Sequence, residues 1–224
     1  MARYLNSRNV GKIMTVKLFY QDPYMYECEA RVISINGFDV IVDKTVFFAF
    51  SGGQASDSGT INNIPVKTAR IEEEEIVYTL DNEPNFSVGD VIRVAIDSNK
   101  RNKLMRLHSA THIVWFLFKE KTGISKLIGS NVDASKGRLD YEYHESIAHF
   151  LPELEDEANK LFLENIGIKA YNDAKDPAKR LWQCNEWLCP CSGTHVMNTG
   201  KIGKIRLKRK NIGAGKERIE ITLA

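Results

Sequence analysis

Arg106-Leu107-His108-Ser109-Ala110-Thr111-His112 stands mid-chain and opens an apolar run, Ile113-Val114-Trp115-Phe116-Leu117-Phe118. With no Gly or Pro before Gly123, the stretch predicts a mostly buried helix from about Arg101 to Lys121. His108 and His112 are four apart, so they share one helix face a turn apart. Imidazoles so placed can share a metal ion, or can be hydrogen-bonded core histidines. A second half-site stands downstream at Cys191-Ser192-Gly193-Thr194-His195, again a pair four apart, around a glycine that permits a tight turn. His108, His112, Cys191 and His195 together make a tetrahedral zinc set of nitrogen and sulfur donors. A local set is open as well: Cys184, Cys189, Cys191 and His195. The residue after His108 is Ser109, not the Glu that acts as general base in zinc-peptidase helices, which argues against that chemistry.

Composition sets the frame around these motifs. A chain of 224 residues makes one large domain or two modest ones. Its 43% hydrophobic and 27% charged residues are those of an ordinary soluble globular protein. No eighteen-residue apolar run and no signal-peptide pattern is present, so a cytoplasmic protein without a membrane partner is expected. Of the four cysteines, Cys184, Cys189 and Cys191 cluster beside His195 and only Cys28 lies apart. That clustering suggests metal rather than a disulfide framework. The net charge is +2 but uneven. Lys201 to Arg218 is strongly basic, while Glu72 to Glu75 is an acidic run, read as a solvated loop or strand end. Lys204, Arg206, Lys208 and Lys210 alternate and so share one strand face, a footprint for a phosphate backbone or a plain solvated surface.

Residues 1–96 read as a small β-barrel domain. Strands are expected at Thr15–Phe19, Tyr26–Ile35, Phe38–Val42, Val46–Phe50, Val66–Ile71, Ile76–Leu80 and Val91–Ile96, with Asn36-Gly37 as a hairpin turn. Within it, Ser51-Gly52-Gly53-Gln54-Ala55-Ser56-Asp57-Ser58-Gly59 predicts an exposed loop whose amides can approach a ligand. Residues 97–224 read as an α+β domain. After the His-bearing helix come a strand at Arg138–Tyr143, an amphipathic helix over Pro152–Ile166 and a strand at Ile168–Tyr171. A helix start is expected at Asp176-Pro177, and strands at Ile202–Lys210 and Arg218–Leu223 close the chain. His144, His149, Trp182 and Trp187 read as surface or packing residues.

His108-Ser109-Ala110-Thr111-His112 with Cys191-Ser192-Gly193-Thr194-His195-Val196 closely resembles the two zinc motifs of alanyl-tRNA synthetase editing domains and of their stand-alone AlaX relatives. Phe48–Gln54 with Asp57–Ile61 resembles that family's glycine-rich loop, and Thr199–Gly203 with Arg218–Glu220 its closing strands. The motifs occur in the right order over nearly the whole chain, as in the medium-length AlaX type, with no aminoacylation domain ahead of them. The resemblance implies an ATP-independent, zinc-dependent trans-editing esterase. It would hydrolyse the ester joining serine, in some members glycine, to alanine tRNA. Carried over, the Zn²⁺ ligands are His108, His112, Cys191 and His195, while Gln54, Gly52 and Gly53 sit at the pocket mouth. Ser109 and Thr111 flank the histidine face and could partner the serine hydroxyl; Lys204, Arg206, Lys208 and Lys210 would meet acceptor-stem phosphates. Ser51 and Ser192 replace family glycines, which blurs substrate preference, and Cys189 is an extra thiol that could compete for zinc. Two other classes remain beside the editing reading: a non-catalytic RNA-binding module with a structural zinc, and a zinc hydrolase of small esters or amides. Monomer and dimer are equally open.

Overall fold

The structure, a computed structural model, describes residues 14–224; residues 1–13 of the expected 1–96 segment lie outside that range. The chain is α+β and mostly β. β1 (Val16–Lys17) leads through a single helical turn at Leu18–Tyr20 into β2 (Glu27–Asn36). Gly37, at φ 60°, turns β2 into β3 (Asp39–Val42), with Asn36 opposite Asp39. β4 (Lys44–Thr45) pairs in parallel with β1. β5 (Gly59–Ile61), β6 (Ile64–Glu72), β7 (Glu75–Leu80) and β8 (Val91–Ile96) follow. Strands β2, β3, β7, β6, β5 and β8 hydrogen-bond in that order around a closed barrel. Its interior holds Val32, Val40, Val42, Ile61, Tyr78, Leu80 and Val94.

Two expected strands differ. Thr15–Phe19 is strand only at Val16–Lys17 before it coils into the helical turn that buries Phe19. Val46–Phe50 is not a strand, although Val46, Phe47, Phe48 and Ala49 are all buried. Its backbone is satisfied by side chains instead of a ladder. Thr45 Oγ1 accepts from Phe47 N at 3.0 Å, Asp57 from Phe48 N at 2.7 Å, and Ser56 Oγ from Phe50 N at 2.7 Å. β5 was missed because it is short and opens on Gly59, where a Cβ would lie 2.8 Å from Ile96 Cα.

The helix α1 (Ser98–Thr122) begins three residues earlier than expected, because Asp97 accepts from the backbone of Asn99 and Lys100. Gly123, at φ 74°, ends it, and Lys119 and Lys121 sit at its negative pole. Arg101 in its first turn is fully buried against Asp57 of the glycine-rich loop. Arg101 also donates to Val46 O (2.6 Å) and Pro23 O (2.9 Å), so one side chain ties the barrel, the loop and the helix together.

β9 (Leu127–Val132) and β10 (Gly137–Glu142) lead to α2 (Leu151–Leu163), which buries Leu151, Leu154, Ala158 and Phe162. Ile166 lies beyond that helix. β11 (Ile168–Asn172), β12 (Arg180–Cys184) and β13 (Trp187–Pro190) form a three-stranded sheet. No helix starts at Asp176-Pro177: Lys179 N donates to Asp176 O and Asp173 N to Lys179 O, which closes a loop that feeds straight into β12. β14 (Ile205–Gly213) and β15 (Lys216–Leu223) complete a four-stranded sheet in the order β14-β15-β10-β9. α1 and α2 pack together, α1 lies on that sheet, and α2 shields its β14 edge. Asn159 bonds both backbone groups of Ile205 and Glu155 accepts from Leu207 N, so the edge carries few unpaired backbone groups. The apolar core falls into two clusters, one within the barrel and one around α1 from Leu104 to Ile221.

Candidate metal centre and its cavity

The helix spacing and the Cys191–His195 turn converge. His108, His112, Cys191 and His195 each offer a donor atom, and these atoms lie within 4.8 Å of one another. His108 Nε2 is 3.6 Å and His195 Nε2 3.2 Å from Cys191 Sγ. The alternative set of local cysteines is not assembled. Cys184 is 1% exposed within the apolar core. Cys189 Sγ instead meets His112 Nδ1 at 3.2 Å.

The far side of each ring is also engaged. Thr194 N donates to Gln54 Oε1 at 2.9 Å, which fixes that atom as the amide oxygen. His108 Nδ1 contacts the same oxygen at 2.7 Å, so it carries the proton and its Nε2 presents a lone pair to the cluster. Gln54 Nε2 donates to Thr194 Oγ1 at 2.9 Å. Ser109 Oγ accepts from Val196 N at 3.2 Å and lies 3.2 Å from His195 Nδ1. Gly193 is required by this packing: a Cβ there would lie 2.6 Å from Gln54 Oε1 and collide with the His108 ring.

Burial lowers the proton affinity of all three imidazoles, His112 to about 4 and His108 and His195 well below the usual histidine value. They are therefore neutral near pH 7, the form that binds metal. Burial also pushes the Cys191 thiol up to about 11, so it keeps its proton near pH 7 and would become a thiolate only beside a cation. Three neutral nitrogens and one sulfur, held close and backed by hydrogen bonds, fit a divalent metal such as zinc.

His108, His112 and Cys191 of the cluster form part of the wall of a cavity of about 580 Å³. Gly52 and Gly53 of the loop, Ser130 and Asn131 of β9, and Lys179 and Arg180 at the start of β12 are among its other walls. No carboxylate lines it among the described residues. The glycine-rich loop joins the sheet here: Val132 N donates to Gly53 O at 2.8 Å, Ala55 N to Val132 O at 2.9 Å, and Asn131 Nδ2 to Gly53 O at 3.0 Å. Gly53, at φ 84°, would place a Cβ 2.9 Å from Ser130 O.

Of the residues expected around the substrate, Gly52, Gly53 and Thr111 line the cavity, whereas Gln54 and Ser109 do not. Both are fully buried behind the histidines and support the rings instead, a correction to the pocket-mouth role of Gln54. The Thr111 hydroxyl donates to Leu107 O at 2.7 Å, which leaves it free to accept. Sequence reasoning missed Lys179 and Arg180, hidden where a helix start was expected. It also missed Trp115, which a stripe search at i, i+3, i+4 and i+7 from His108 would have found.

Arg206, Lys208 and Lys210 lie on one exposed face of β14, with Lys204 exposed just before it. Glu155 pairs with Arg206 at 2.7 Å, and Lys208 stands opposite Glu220, which binds Lys136 at 2.6 Å. β15 and β10 separate this strand from β9 at the cavity.

Fold and site define an α+β protein with a partly buried histidine–cysteine cluster, able to hold a metal, at the wall of an open cavity. Residues 180–220 match the family model described as the threonyl and alanyl tRNA synthetase second additional domain. The chain is 36% identical to the alanyl-tRNA editing protein AlaX-M of Pyrococcus horikoshii, over 94% of this chain and 98% of that one. It is 32% identical to the alanine–tRNA ligase of Methanococcus aeolicus over 93% of this chain, but spans only 25% of that ligase. For the ligase of Ignicoccus hospitalis the identity is 31%, over 92% of this chain and 26% of the ligase. The chain belongs to the AlaX family of alanyl-tRNA editing proteins.

Proposed function

We propose that the protein is a trans-editing hydrolase that removes serine, and secondarily glycine, from mischarged alanine tRNA by hydrolysing the aminoacyl ester. The observation that carries this reading is the three-histidine, one-cysteine cluster set in the wall of a cavity wide enough for a substrate. Zinc, held by His108, His112, Cys191 and His195, would supply Lewis-acid polarisation at the ester or an anchor for the amino group. Gln54 and Ser109 orient two of the rings, and Gly52 and Gly53 let the loop backbone come close to the acyl group.

Thr111 supplies the means of discrimination. Its hydroxyl proton is committed to Leu107 O, so its free lone pair accepts from a serine hydroxyl and gains nothing from alanine. An apolar synthetase pocket rejects an added hydroxyl weakly, whereas a site built to bond that hydroxyl rejects the analogue lacking it strongly. Among the described residues the cavity offers no carboxylate base, so substrate hydroxyls, including the neighbouring ribose hydroxyl, take part in proton movement. The face bearing Lys204, Arg206, Lys208 and Lys210 contacts acceptor-stem phosphates, which position the tRNA without reading its sequence. We place this activity in the cytoplasm, where charged tRNA is used.

Four protein donors also fill a tetrahedral shell, as in structural zinc sites, and this favours a second reading, a non-catalytic RNA-binding module. Deacylation of seryl- against alanyl-tRNA for alanine separates the two. Rapid loss of serine alone supports the editing reading, and no hydrolysis of either leaves the binding module.

A further inference from the structure

His108, Thr111, His112 and Trp115 are the α1 residues that line the cavity, spaced i, i+3, i+4 and i+7 along one helix face. The first three belong to the metal centre and its acceptor hydroxyl, and the fourth has no part in either. Trp115 is half-buried on a helix whose neighbouring residues Ile113, Val114, Phe116 and Phe118 are buried. Its indole N–H donates to Ser125 O at 3.1 Å, which fixes the ring from its polar end. The neighbouring wall is apolar, formed by Leu127 and Leu139. The lining also holds two cations, Lys179, which pairs with Asp176 at 3.0 Å, and Arg180. Arg180 stacks over Tyr20 at 4.0 Å and donates to neutral acceptors only, Asn172 Oδ1, Ala170 O and Tyr20 O, while its Nε is buried without a partner.

A cavity of about 580 Å³ is far larger than a serine requires, and lies within the roughly 300–1,000 Å³ that buries a whole small-molecule ligand. An aromatic wall one turn from a candidate metal ligand, in a cavity that also carries cations, suits a group with a flat base and an anionic tail. We propose that the Trp115 wall is the seat of the terminal adenine of the aminoacylated strand. The base stacks against the indole, and the 5′-phosphate lies toward Lys179 and Arg180. This places the ester between base and cluster, so Trp115 is a positioning residue for hydrolysis. The assignment rests on the editing reading above. It adds a contact that accepts any purine face and reads no sequence.

The test uses 3′-deoxy-3′-(serylamino)adenosine, a stable amide in place of the ester, titrated calorimetrically into the metal-loaded protein. Base–aromatic stacking predicts that Trp115→Ala and Trp115→Leu bind it roughly 5- to 150-fold more weakly than wild type. Trp115→Phe retains most of the affinity. On seryl-tRNA, Trp115→Leu raises KM by a comparable factor and keeps kcat, with metal content unchanged. Trp115→Leu keeps apolar volume without a π face, so equal binding by it and by wild type overturns the assignment. So does a Trp115→Phe variant as weak as Trp115→Leu. If wild type itself fails to deacylate seryl-tRNA, the editing reading falls. If wild type is active and Trp115→Leu matches it, only the base seat falls.

Discussion

Gln54→Met isolates what the buried amide does. Gln54 is fully buried, and its side chain makes three contacts: one from Thr194 N, one to Thr194 Oγ1 and one from His108 Nδ1. Methionine fills nearly the same volume without polar atoms, so packing is kept while the acceptor is lost. Thr194 N–H and His108 Nδ1–H are then left unpaired in the interior, at about 1–3 kcal/mol each, or roughly 2–6 kcal/mol of stability together. His108 also loses the partner that fixes its tautomer, and metal affinity should fall about 10- to 100-fold, the usual effect of removing such a support. Competition for zinc against a chromophoric chelator measures the second effect, and urea unfolding of the metal-free protein the first. Gln54→Glu serves as control, since its carboxylate still accepts from His108 and Thr194. If Gln54→Met binds zinc as tightly as wild type, Gln54 does not orient His108 and the tautomer argument is wrong.

Arg101→Met leaves Asp57 buried without its cation. It should cost about 3–5 kcal/mol in urea unfolding, and a loss no larger than that of an exposed arginine would show that the pair does not lock the loop to α1. The histidines set a pH dependence. The unfolded chain binds protons near pH 6.5 that native His112 refuses until about 4. Metal-free stability should therefore be full above about pH 6.5 and fall toward pH 4, by about 1.4 kcal/mol per unit for each buried histidine; flat stability across that window would contradict their burial as neutral rings. Replacing Lys208 and Lys210 with Ala should raise the apparent KM for tRNA and reduce its salt slope by roughly one per lysine. Unchanged values would place the tRNA elsewhere.

The parts of the molecule legible in the sequence were those set by local periodicity. α1 follows from an unbroken apolar run, the Asn36-Gly37 hairpin from turn chemistry, and the exposed face of β14 from strict alternation. The histidine–cysteine cluster was legible because both halves are four-residue spacings that reach one point in space. What stayed hidden depends on long-range contacts. Val46–Ala49 has strand composition, yet its backbone is claimed by Thr45 and Asp57, and by Arg101, some 55 positions away. Asp176-Pro177 has the chemistry of a helix start, but the β11–β12 pairing leaves room only for a loop. Gln54 was singled out correctly as the side chain with a donor and an acceptor. Its place behind His108 depends on Thr194, 140 positions on, which no local pattern reports.

The most direct test of the central claim measures metal content and seryl-tRNA deacylation together, on wild type and on His112→Ala. The account predicts that wild type carries about one zinc per chain and releases serine but not alanine from alanine tRNA, and that His112→Ala loses both metal and activity. A His112→Ala protein that keeps its zinc and its deacylation would contradict it.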